Sequence, residues 1–299
     1  MKTRSALYPK KSVFILLLAP GVILYIVIAF LPIVSAFILS FYKWSGGQTK
    51  TFIGLKNYIY LFTDSLFWAA FKNNIIITIV SLFGQIGIAL ILATLFTTKV
   101  IKFKDFHRSV IFFPAVLAAI IIGFIWTMVY SREYGLLNFV LKTLGLKSLI
   151  KPWLDDPDIV IYSVTAPIIW QYIGYYTVII SSGITAIPQE IFESAAIDGA
   201  VGWRKLLYIV YPLVKNTIIV TVMMCIAGNM RIFTHILIMT GGGPGDSSMV
   251  MALYAYKNSF VMYKLGYGSA ASIGILVISM IIILGSRAIM GRGQNEEQF

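Results

Sequence analysis

The sequence predicts an all-α integral membrane protein with six transmembrane helices, and composition and apolar windows are the basis of that prediction. Of the 299 residues, 59% are hydrophobic and only 12% are charged, and the mean hydropathy is +0.86. A typical soluble domain has about 25% charged residues. We therefore expect a single transmembrane domain over residues 1–299.

Six windows are apolar enough to cross a membrane as helices, which takes about 20 residues each. They lie at residues 13–42, 74–98, 109–131, 159–187, 217–240 and 269–290. The first window follows four basic residues and so resembles a signal peptide: Lys2, Arg4, Lys10 and Lys11. It is too long for the apolar region of such a peptide and lacks a small-residue cleavage site, so we expect a retained span.

Basic residues predict the orientation of the chain. The net charge is +12, from 24 Lys and Arg against 12 Asp and Glu, and no basic run of the nucleic-acid-binding type is present. On a membrane protein such an excess usually serves orientation and contact with anionic lipid. Basic residues are densest in the N-terminal tail and in the second connection, which holds Lys99, Lys102, Lys104 and Arg108. Both termini are therefore expected in the cytoplasm.

A polar island separates the fourth and fifth windows. Pro188 suits a first helical turn, and Glu190 and Glu193 lie near the positive end of the helix that would follow. Gly199 can end that helix after Asp198. The island therefore predicts a short surface helix at about residues 188–200.

One side of this predicted helix is suited to docking. Ala195 and Ala196 leave it nearly flat, so another protein's backbone could approach closely, and Asp198 and Arg204 remain available for polar contacts. The alternative is an amphipathic helix that lies on the membrane surface. That alternative explains neither the alanines nor the spacing that follows them.

The spacing across the island resembles the EAA loop of the integral-membrane subunits of ATP-binding-cassette importers. Glu193 is followed by two small residues, three others, Gly199, nine others, an isoleucine and then Pro212. Ser194 and Tyr211 replace a usual alanine and leucine but keep small size and bulk. The resemblance implies a coupling helix that inserts into a groove of a cytoplasmic ATPase. Its coupling residues would be Glu193, Ala195, Ala196, Asp198, Gly199 and Arg204.

Motifs along nearly the whole chain are similar to carbohydrate importers of the maltose-permease type. They are Leu18-Ala19-Pro20 and the segments at 52–58, 135–138, 240–244 and 266–271. The extra N-terminal spans and large outer domain of the maltose permease itself are absent, so the similarity is to the smaller six-span members. The resemblance implies a type I importer fold in a bacterial-type cell membrane. Its implied partners are a second, related but non-identical permease, an ATPase dimer and an extracellular solute-binding protein.

Enzyme chemistry has little support in the sequence. The two histidines, His107 and His235, fall on predicted opposite sides of the membrane, so no His-rich metal site is expected. No P-loop motif occurs, so ATP would bind to a partner chain. The one cysteine, Cys225, lies in an apolar window and is interpreted as a small core residue. We expect no catalytic residue, metal site or cofactor.

Polar and aromatic residues near the middle of a span predict a transport pathway. The fourth window supplies Trp170, Gln171, Tyr172, Tyr175 and Tyr176. Their rings and polar groups suit a sugar, because sugar faces stack on aromatic rings and sugar hydroxyls form hydrogen bonds. Ordinary helix packing is the alternative for each residue taken singly.

The fifth window adds two candidates through the resemblance. Counted back from the glycine-rich loop at 241–245, Asn229 and Arg231 fall where the maltose importer has part of its sugar pocket, with Arg231 where an uncharged polar residue is usual. Gln85 in the second window is interpreted instead as an interhelical hydrogen-bonding residue.

The sequence thus predicts the permease subunit of an ATP-driven, binding-protein-dependent sugar or oligosaccharide importer. Arg231 raises the hypothesis of an acidic sugar, since guanidinium matches a carboxylate, and a neutral sugar is the alternative. A secondary transporter, a permease for another small polar solute and an assembly protein remain as other classes. Few titratable residues lie deep in the predicted bundle, which disfavours the secondary transporter.

Overall fold

The part of the chain that the structure describes is built from helices with one short β-ribbon. The computed structural model describes residues 11–96 and 102–291. The basic residues Lys2, Arg4, Lys10 and Lys99, and the last two residues of the second apolar window, lie outside the described residues. The described chain divides into two units, one from residues up to 63 and 255–274 and the other from residues 64–254 and 275 onward.

The first unit begins with a continuous apolar helix. Its parts are α1 (Lys11–Tyr25), a π-helical turn (Ile26–Phe30) and α2 (Leu31–Leu39). An antiparallel ribbon of β1 (Tyr42–Lys43) and β2 (Thr51–Phe52) follows, and then α3 (Lys56–Thr63). Asn57 holds the turn after α2, because its Nδ2 donates to the carbonyls of Ser40 at 2.7 Å and Tyr42 at 3.0 Å.

The second unit starts with a capped helix. Asp64 is the N-cap of α4 (Ser65–Ser81), and its side chain accepts a 2.8 Å hydrogen bond from the backbone amide of Leu66. This helix continues through a π-helical segment (Leu82–Gly87) into α5 (Ile88–Phe96). After the gap come α6 (Lys104–Val116), α7 (Ala119–Val129), α8 (Leu136–Thr143), a 3-10 turn (Lys147–Leu149) and α9 (Val160–Thr185).

The remaining elements run from the polar island to the end of the described chain. They are α10 (Gln189–Ile197), a π-helical segment (Lys205–Val210), α11 (Tyr211–Leu213), α12 (Lys215–Met230), α13 (Thr234–Met239), α14 (Met251–Tyr256), a π-helical turn (Lys257–Val261) and α15 (Leu265–Gly291). Both α14 and α15 contain residues assigned to each of the two units.

Three helices are long and apolar enough to cross a membrane by length and composition. They are Ser12–Leu39, Ser65–Phe96 and Leu265–Met290. Two further pairs pass the same test together but are bent: Lys104–Val116 with Ala119–Val129 by 98°, and Lys205–Leu213 with Lys215–Met230 by 79°. The described chain therefore has three candidate spans, or up to five if each bent pair is one span. The 26-residue α9 is not among them.

Two of the predicted windows are interrupted in the structure. The window at 109–131 contains the bend between α6 and α7, and the window at 217–240 contains a non-helical break at residues 231–233. The break is held by a long-range contact. Asn74 Nδ2 donates to the Asn229 carbonyl at 2.9 Å, and Asn74 Oδ1 accepts from the Met251 amide at 2.8 Å. One buried asparagine thus joins the end of α12, where the Asn229 carbonyl also accepts from the Ile232 amide at 3.2 Å, to the first backbone amide of α14.

Helix α9 lies at the centre of the second unit. Its buried residues Tyr176, Ile180 and Ile184 join a core with α5, α12 and the π-helical segments. A Cβ placed on Gly174 would overlap the backbone of Ile111, so α6 and α9 come into direct backbone contact there. The close approach fixes which face of α9 is left for the cavity described next.

Candidate functional site

A cavity of about 240 Å³ lies within the second unit, between the π-helical segment at 82–87, the middle of α9 and the end of α12. It is enclosed by aromatic, polar and small side chains. They are Gln85, Tyr172, Tyr175, Tyr176, Met224, Cys225, Gly228, Asn229 and Ile232. Four predicted substrate residues, the three tyrosines and Asn229, therefore meet in one place.

The three tyrosines share one face of α9. Tyr172, Tyr175 and Tyr176 stand at positions i, i+3 and i+4, which are neighbours on a helix surface. The rings of Tyr175 and Tyr176 pack edge to face with centroids 5.2 Å apart. Among the described residues, no hydrogen bond is formed by the hydroxyls of Tyr172 and Tyr175. These hydroxyls are thus available to a ligand in the cavity.

A hydrogen-bonded cluster forms the opposite wall. Cys225 Sγ donates to Gln85 Oε1 at 3.2 Å, and Asn229 Nδ2 donates to the Cys225 carbonyl at 2.9 Å and lies 3.3 Å from its sulfur. Gln85 Nε2 donates to the Ile168 carbonyl at 3.1 Å. The prediction that Gln85 forms interhelical hydrogen bonds is confirmed. These bonds orient the amide groups of the wall before any ligand arrives.

Several cavity residues were not predicted as such. Gln85 lines the cavity as well as joining helices, and Met224, Cys225, Gly228 and Ile232 complete the lining. The signal was helical spacing, because positions 225, 228, 229 and 232 follow the i, i+3, i+4, i+7 pattern of one helix face. Counting back from Asn229 along α12 would have found Cys225 and Gly228, whereas Ile232 lies in the break beyond the helix and Gln85 on another helix.

Trp170 and Gln171 lie outside the cavity. Trp170 is partly exposed, and its ring packs edge to face on Trp126 with centroids 5.9 Å apart. Gln171 is buried, donates through Nε2 to the Leu117 carbonyl at 2.9 Å and is 2.7 Å from His235 Nε2 through its Oε1. Each therefore contacts α7 or its flanking bend rather than the space between α9 and α12.

Arg231 lies at the break after α12 and is exposed. It is the C-cap residue, and its Nε donates to the Ala227 carbonyl at 3.1 Å in the last helical turn. A cation is favourable there because it faces the negative end of the helix dipole. Among the described residues, no carboxylate lies within ion-pair distance of its guanidinium. The observed partner of the Arg231 side chain is therefore a backbone carbonyl.

The polar island contains α10 and ends in a defined turn. Glu190 lies in the first turn, and the Ala200 amide donates to the Ala195 carbonyl at 2.8 Å while the Gly199 amide donates to the Ala196 carbonyl at 3.1 Å. This pair of bonds is the Schellman motif, which places the glycine in the left-handed region. Gly199 has φ of +75°.

The candidate coupling residues differ in exposure. Ala195 is buried in its own chain, whereas Glu193, Ala196, Asp198, Gly199 and Arg204 are exposed. Apolar side chains stand beside them, since Ile197 is 87% and Trp203 is 64% exposed. The segment therefore presents a mixed apolar and charged surface.

The sequence matches the family described as binding-protein-dependent transport system inner membrane component over residues 85–291. That range includes the cavity, the polar island and the helices between them. The chain belongs to this family. It is a transport component rather than an enzyme. The candidate apolar spans described above are those of a membrane-embedded permease.

Curated relatives cover the permease almost from end to end. A probable ABC transporter permease protein, YurN of Bacillus subtilis (strain 168), is 34% identical over 94% of this chain and 97% of its own length. The sulfoquinovosyl glycerol transport system permease protein SmoG of Agrobacterium fabrum is 32% identical over 90% of this chain and 87% of its own. The similarity is thus to whole permeases.

A solved structure has the same fold as the permease. A chain in the crystal structure of a bacterial alginate ABC transporter, in complex with an alginate pentasaccharide-bound periplasmic protein, superposes with a TM-score of 0.81. The overlap covers 94% of each chain at 20% sequence identity. At that identity the likeness concerns the fold.

Proposed function

We propose that this permease carries a sugar or oligosaccharide through the cavity between α9 and α12, as one subunit of an ATP-driven importer. The observation that carries the proposal is the lining of that cavity. Tyrosine rings can stack on sugar faces, and the hydroxyls of Tyr172 and Tyr175 are available to sugar hydroxyls. The oriented amides of Gln85 and Asn229 add polar partners.

The named relatives support a sugar as cargo. They include an arabinooligosaccharide permease, AraP, and a lactose permease, LacF. The alginate transporter that shares the fold imports an acidic polysaccharide by its description. Neutral and acidic saccharides therefore both remain within the proposal, and Arg231 is the residue of this chain that would favour an acidic one.

We propose six spans with both termini in the cytoplasm. The three continuous helices and two bent pairs supply five, and α9 supplies the sixth. At 1.5 Å per residue its 26 residues reach about 39 Å, more than the hydrocarbon core. Gln171 and the aromatic residues beside it lower its hydropathy, which is expected where a helix lines a polar pathway.

The proposed partners follow from the exposed island. The exposed candidate coupling residues would contact a cytoplasmic ATPase: Glu193, Ala196, Asp198, Gly199 and Arg204. Ala195, which is buried in its own chain, would hold the helix in place by packing. A second related permease would complete the pathway, and an extracellular solute-binding protein would deliver the sugar. ATP-driven closure of the ATPase dimer would move the coupling helices together and turn the cavity outward, and hydrolysis would reset it.

Met224 offers a test, because it lines the cavity and is exposed, whereas Cys225, the one cysteine of the chain, is fully buried. The complete importer with Met224→Cys in a Cys225→Ser background is treated in proteoliposomes with N-ethylmaleimide, with and without lactose, arabinotriose or an alginate trisaccharide, and modification of this chain is measured by mass spectrometry. A transported saccharide is expected to slow modification at position 224. The control places a cysteine at exposed Ser148 in a Cys225→Ser background, where no protection is expected.

Uptake measurements complete the test. Tyr172→Phe and Tyr175→Phe each remove one hydroxyl, which corresponds to about 0.5–1.5 kcal/mol or a KM about 2–12 times higher. Tyr162→Phe, at an exposed site of α9 that does not line the cavity, is the matched control. Unchanged KM in both variants, together with no protection of Met224→Cys, would show that the sugar does not use this cavity. Uptake by the chain alone, driven by protons or sodium, would support a secondary transporter instead.

A further inference from the structure

A second cavity, of about 460 Å³, lies at the opposite end of α9 from α10 and the turn that follows it, which together are called the coupling segment. It is formed by the end of α7, the turn before α9 and the loop after α13. Tyr130, Arg132, Asp155, Thr240 and Pro244 are among its lining residues. Helix α10 follows the last residue of α9, whereas Asp155 precedes the first, so the length of α9, about 39 Å, separates the two regions.

The wall of this cavity is held in place by a hydrogen-bonded loop. Ser248 Oγ donates to the Gly243 carbonyl at 2.6 Å and lies 2.7 Å from Thr240 Oγ1. Asn73 Nδ2 donates to the carbonyls of Ser247 and Met249, both at 2.9 Å. The cavity is thus a built feature of the fold and does not depend on an unsupported loop.

A row of aromatic rings runs from the cavity toward the middle of α9. Tyr130, in the cavity wall, has ring centroids 6.1 Å from Trp153 and 5.3 Å from Trp126. Trp126 in turn packs on Trp170 at 5.9 Å. Trp170 was predicted to stack on a sugar but lies outside the cavity between α9 and α12, which is called the inner cavity from here on. It belongs instead to this row of rings, which leads to the second cavity.

Charged groups stand at the cavity beside that row. Arg132 and Asp155 are exposed, and the described residues place no carboxylate within 4.0 Å of Arg132 and no cation within 4.0 Å of Asp155. Unpaired planar groups of this kind bind pairs of neighbouring hydroxyls through two hydrogen bonds, and an aromatic ring nearby covers the apolar face of a sugar.

We propose that this cavity is an outer saccharide subsite, in which one sugar unit of the cargo contacts the exposed groups of Arg132 and Asp155, beside the wall that buried Tyr130 forms, before transfer to the inner cavity. The proposal rests on the proposed function, since it assumes a saccharide cargo and an extracellular position for this end of α9. It assigns a second binding region to the same pathway.

The test compares charge-neutralising variants in and outside the cavity. Asp155→Asn and Arg132→Gln change the cavity, while Asp158→Asn and Lys151→Gln change the same charges at exposed positions nearby. Each variant is assembled into the complete importer in proteoliposomes. Uptake of lactose, arabinotriose and an alginate trisaccharide is measured together with ATP hydrolysis as the solute-binding protein is titrated.

For the probe that the wild type carries, we expect the KM for uptake to rise about fivefold in both cavity variants and to remain unchanged in both controls. The binding-protein concentration that gives half-maximal ATP hydrolysis is expected to stay constant. Unchanged KM in the cavity variants would overturn the outer subsite alone. A higher half-maximal concentration of binding protein would also overturn it, because the cavity would then be a protein-docking surface. Absence of uptake of all three probes by the wild type would contradict the proposed function itself.

Discussion

Gln171 and His235 are joined by a 2.7 Å contact between Oε1 and Nε2, and both side chains are buried. The Gln171 amide nitrogen also donates to the Leu117 carbonyl at 2.9 Å. A carbonyl can only accept, so the amide orientation is fixed and His235 Nε2 must be the donor. One side chain thereby ties α9 to α13 and to the bend between α6 and α7.

Replacement of Gln171 by methionine is expected to destabilise the permease. Gln171→Met keeps the volume but leaves the Leu117 carbonyl and His235 Nε2 without their partner. The buried His235 Nε2 accounts for about 1–3 kcal/mol, and the Leu117 carbonyl, whose bond is part-buried, adds less. Thermal unfolding of the detergent-solubilised complex measures the effect. Gln189→Met is the control, because Gln189 is exposed and makes one 3.3 Å contact with Glu193. Equal unfolding temperatures for the two variants would contradict the prediction.

Gly199→Asp is expected to uncouple ATP hydrolysis from transport while leaving the chain folded. Among the described residues no atom lies within 4 Å of a Cβ built on Gly199, so the intramolecular cost is the left-handed φ of +75°, about 1–2 kcal/mol. The added carboxylate would meet the ATPase surface instead. The measurement is saccharide uptake alongside ATP hydrolysis stimulated by the loaded binding protein.

Gly145 provides a closely matched control for that variant. It also has φ of +75° and ends α8 with the same bond pattern, from Leu146 to Leu141 at 2.8 Å and from Gly145 to Lys142 at 3.1 Å. Gly145→Asp therefore introduces the same residue and strain away from the coupling segment. Normal uptake is expected for it. Equal loss of uptake in both variants would indicate backbone strain rather than lost coupling.

Asn74→Leu is expected to destabilise the break after α12. The substitution removes the donor to the Asn229 carbonyl and the acceptor for the Met251 amide, both buried. The Asn229 carbonyl keeps a 3.2 Å bond from the Ile232 amide, so the unsatisfied group is the Met251 amide, and a loss of about 1–3 kcal/mol is expected. Asn216→Leu, at an exposed position of α12, is the comparison, and melting curves of the purified complex distinguish the two variants. A melting temperature for Asn74→Leu no lower than that of the comparison would rule out this role for Asn74.

Arg231→Gln tests the charge of the cargo. If an acidic saccharide pairs with the guanidinium, the variant is expected to lose about tenfold in uptake of an alginate trisaccharide and little in uptake of lactose, since a charged hydrogen bond is worth about 1.5–3 kcal/mol. Arg287→Gln, an exposed arginine near the end of α15, is the control. Equal uptake of an acidic cargo by wild type and Arg231→Gln would eliminate the pairing.

Local sequence signals predicted much of the structure. The apolar windows locate the long helices because burial in lipid requires length and hydrophobicity, both visible in one dimension. Gly199 was predicted to end a helix, and the backbone there forms a Schellman motif. The three tyrosines meet because i, i+3 and i+4 share a face. Trp170 precedes Tyr172 by two positions, about 200° round the helix, and so lies away from the cavity.

Long-range contacts account for what the sequence did not reveal. No proline or glycine marks the break at residues 231–233, and Asn74, which bonds to the helix end before it, is far away in the chain. Gln171 is polar and central like the tyrosines, yet its partners lie at the bend after α6 and on α13. Which neighbour a helix face meets is a property of packing, and residue spacing on one helix does not contain it.

The paired asparagines of α4 restrict where the permease can flex. Asn73 forms hydrogen bonds with the loop at residues 247–249, and Asn74 forms hydrogen bonds with the end of α12 and the start of α14. While these hydrogen bonds persist, we expect α4, the end of α12 and that loop to move together as one rigid unit. We expect an alternating movement to use the 98° bend between α6 and α7 and the 79° bend at Val214. A force applied at α10 would accordingly reach the cavity as a rotation about Val214.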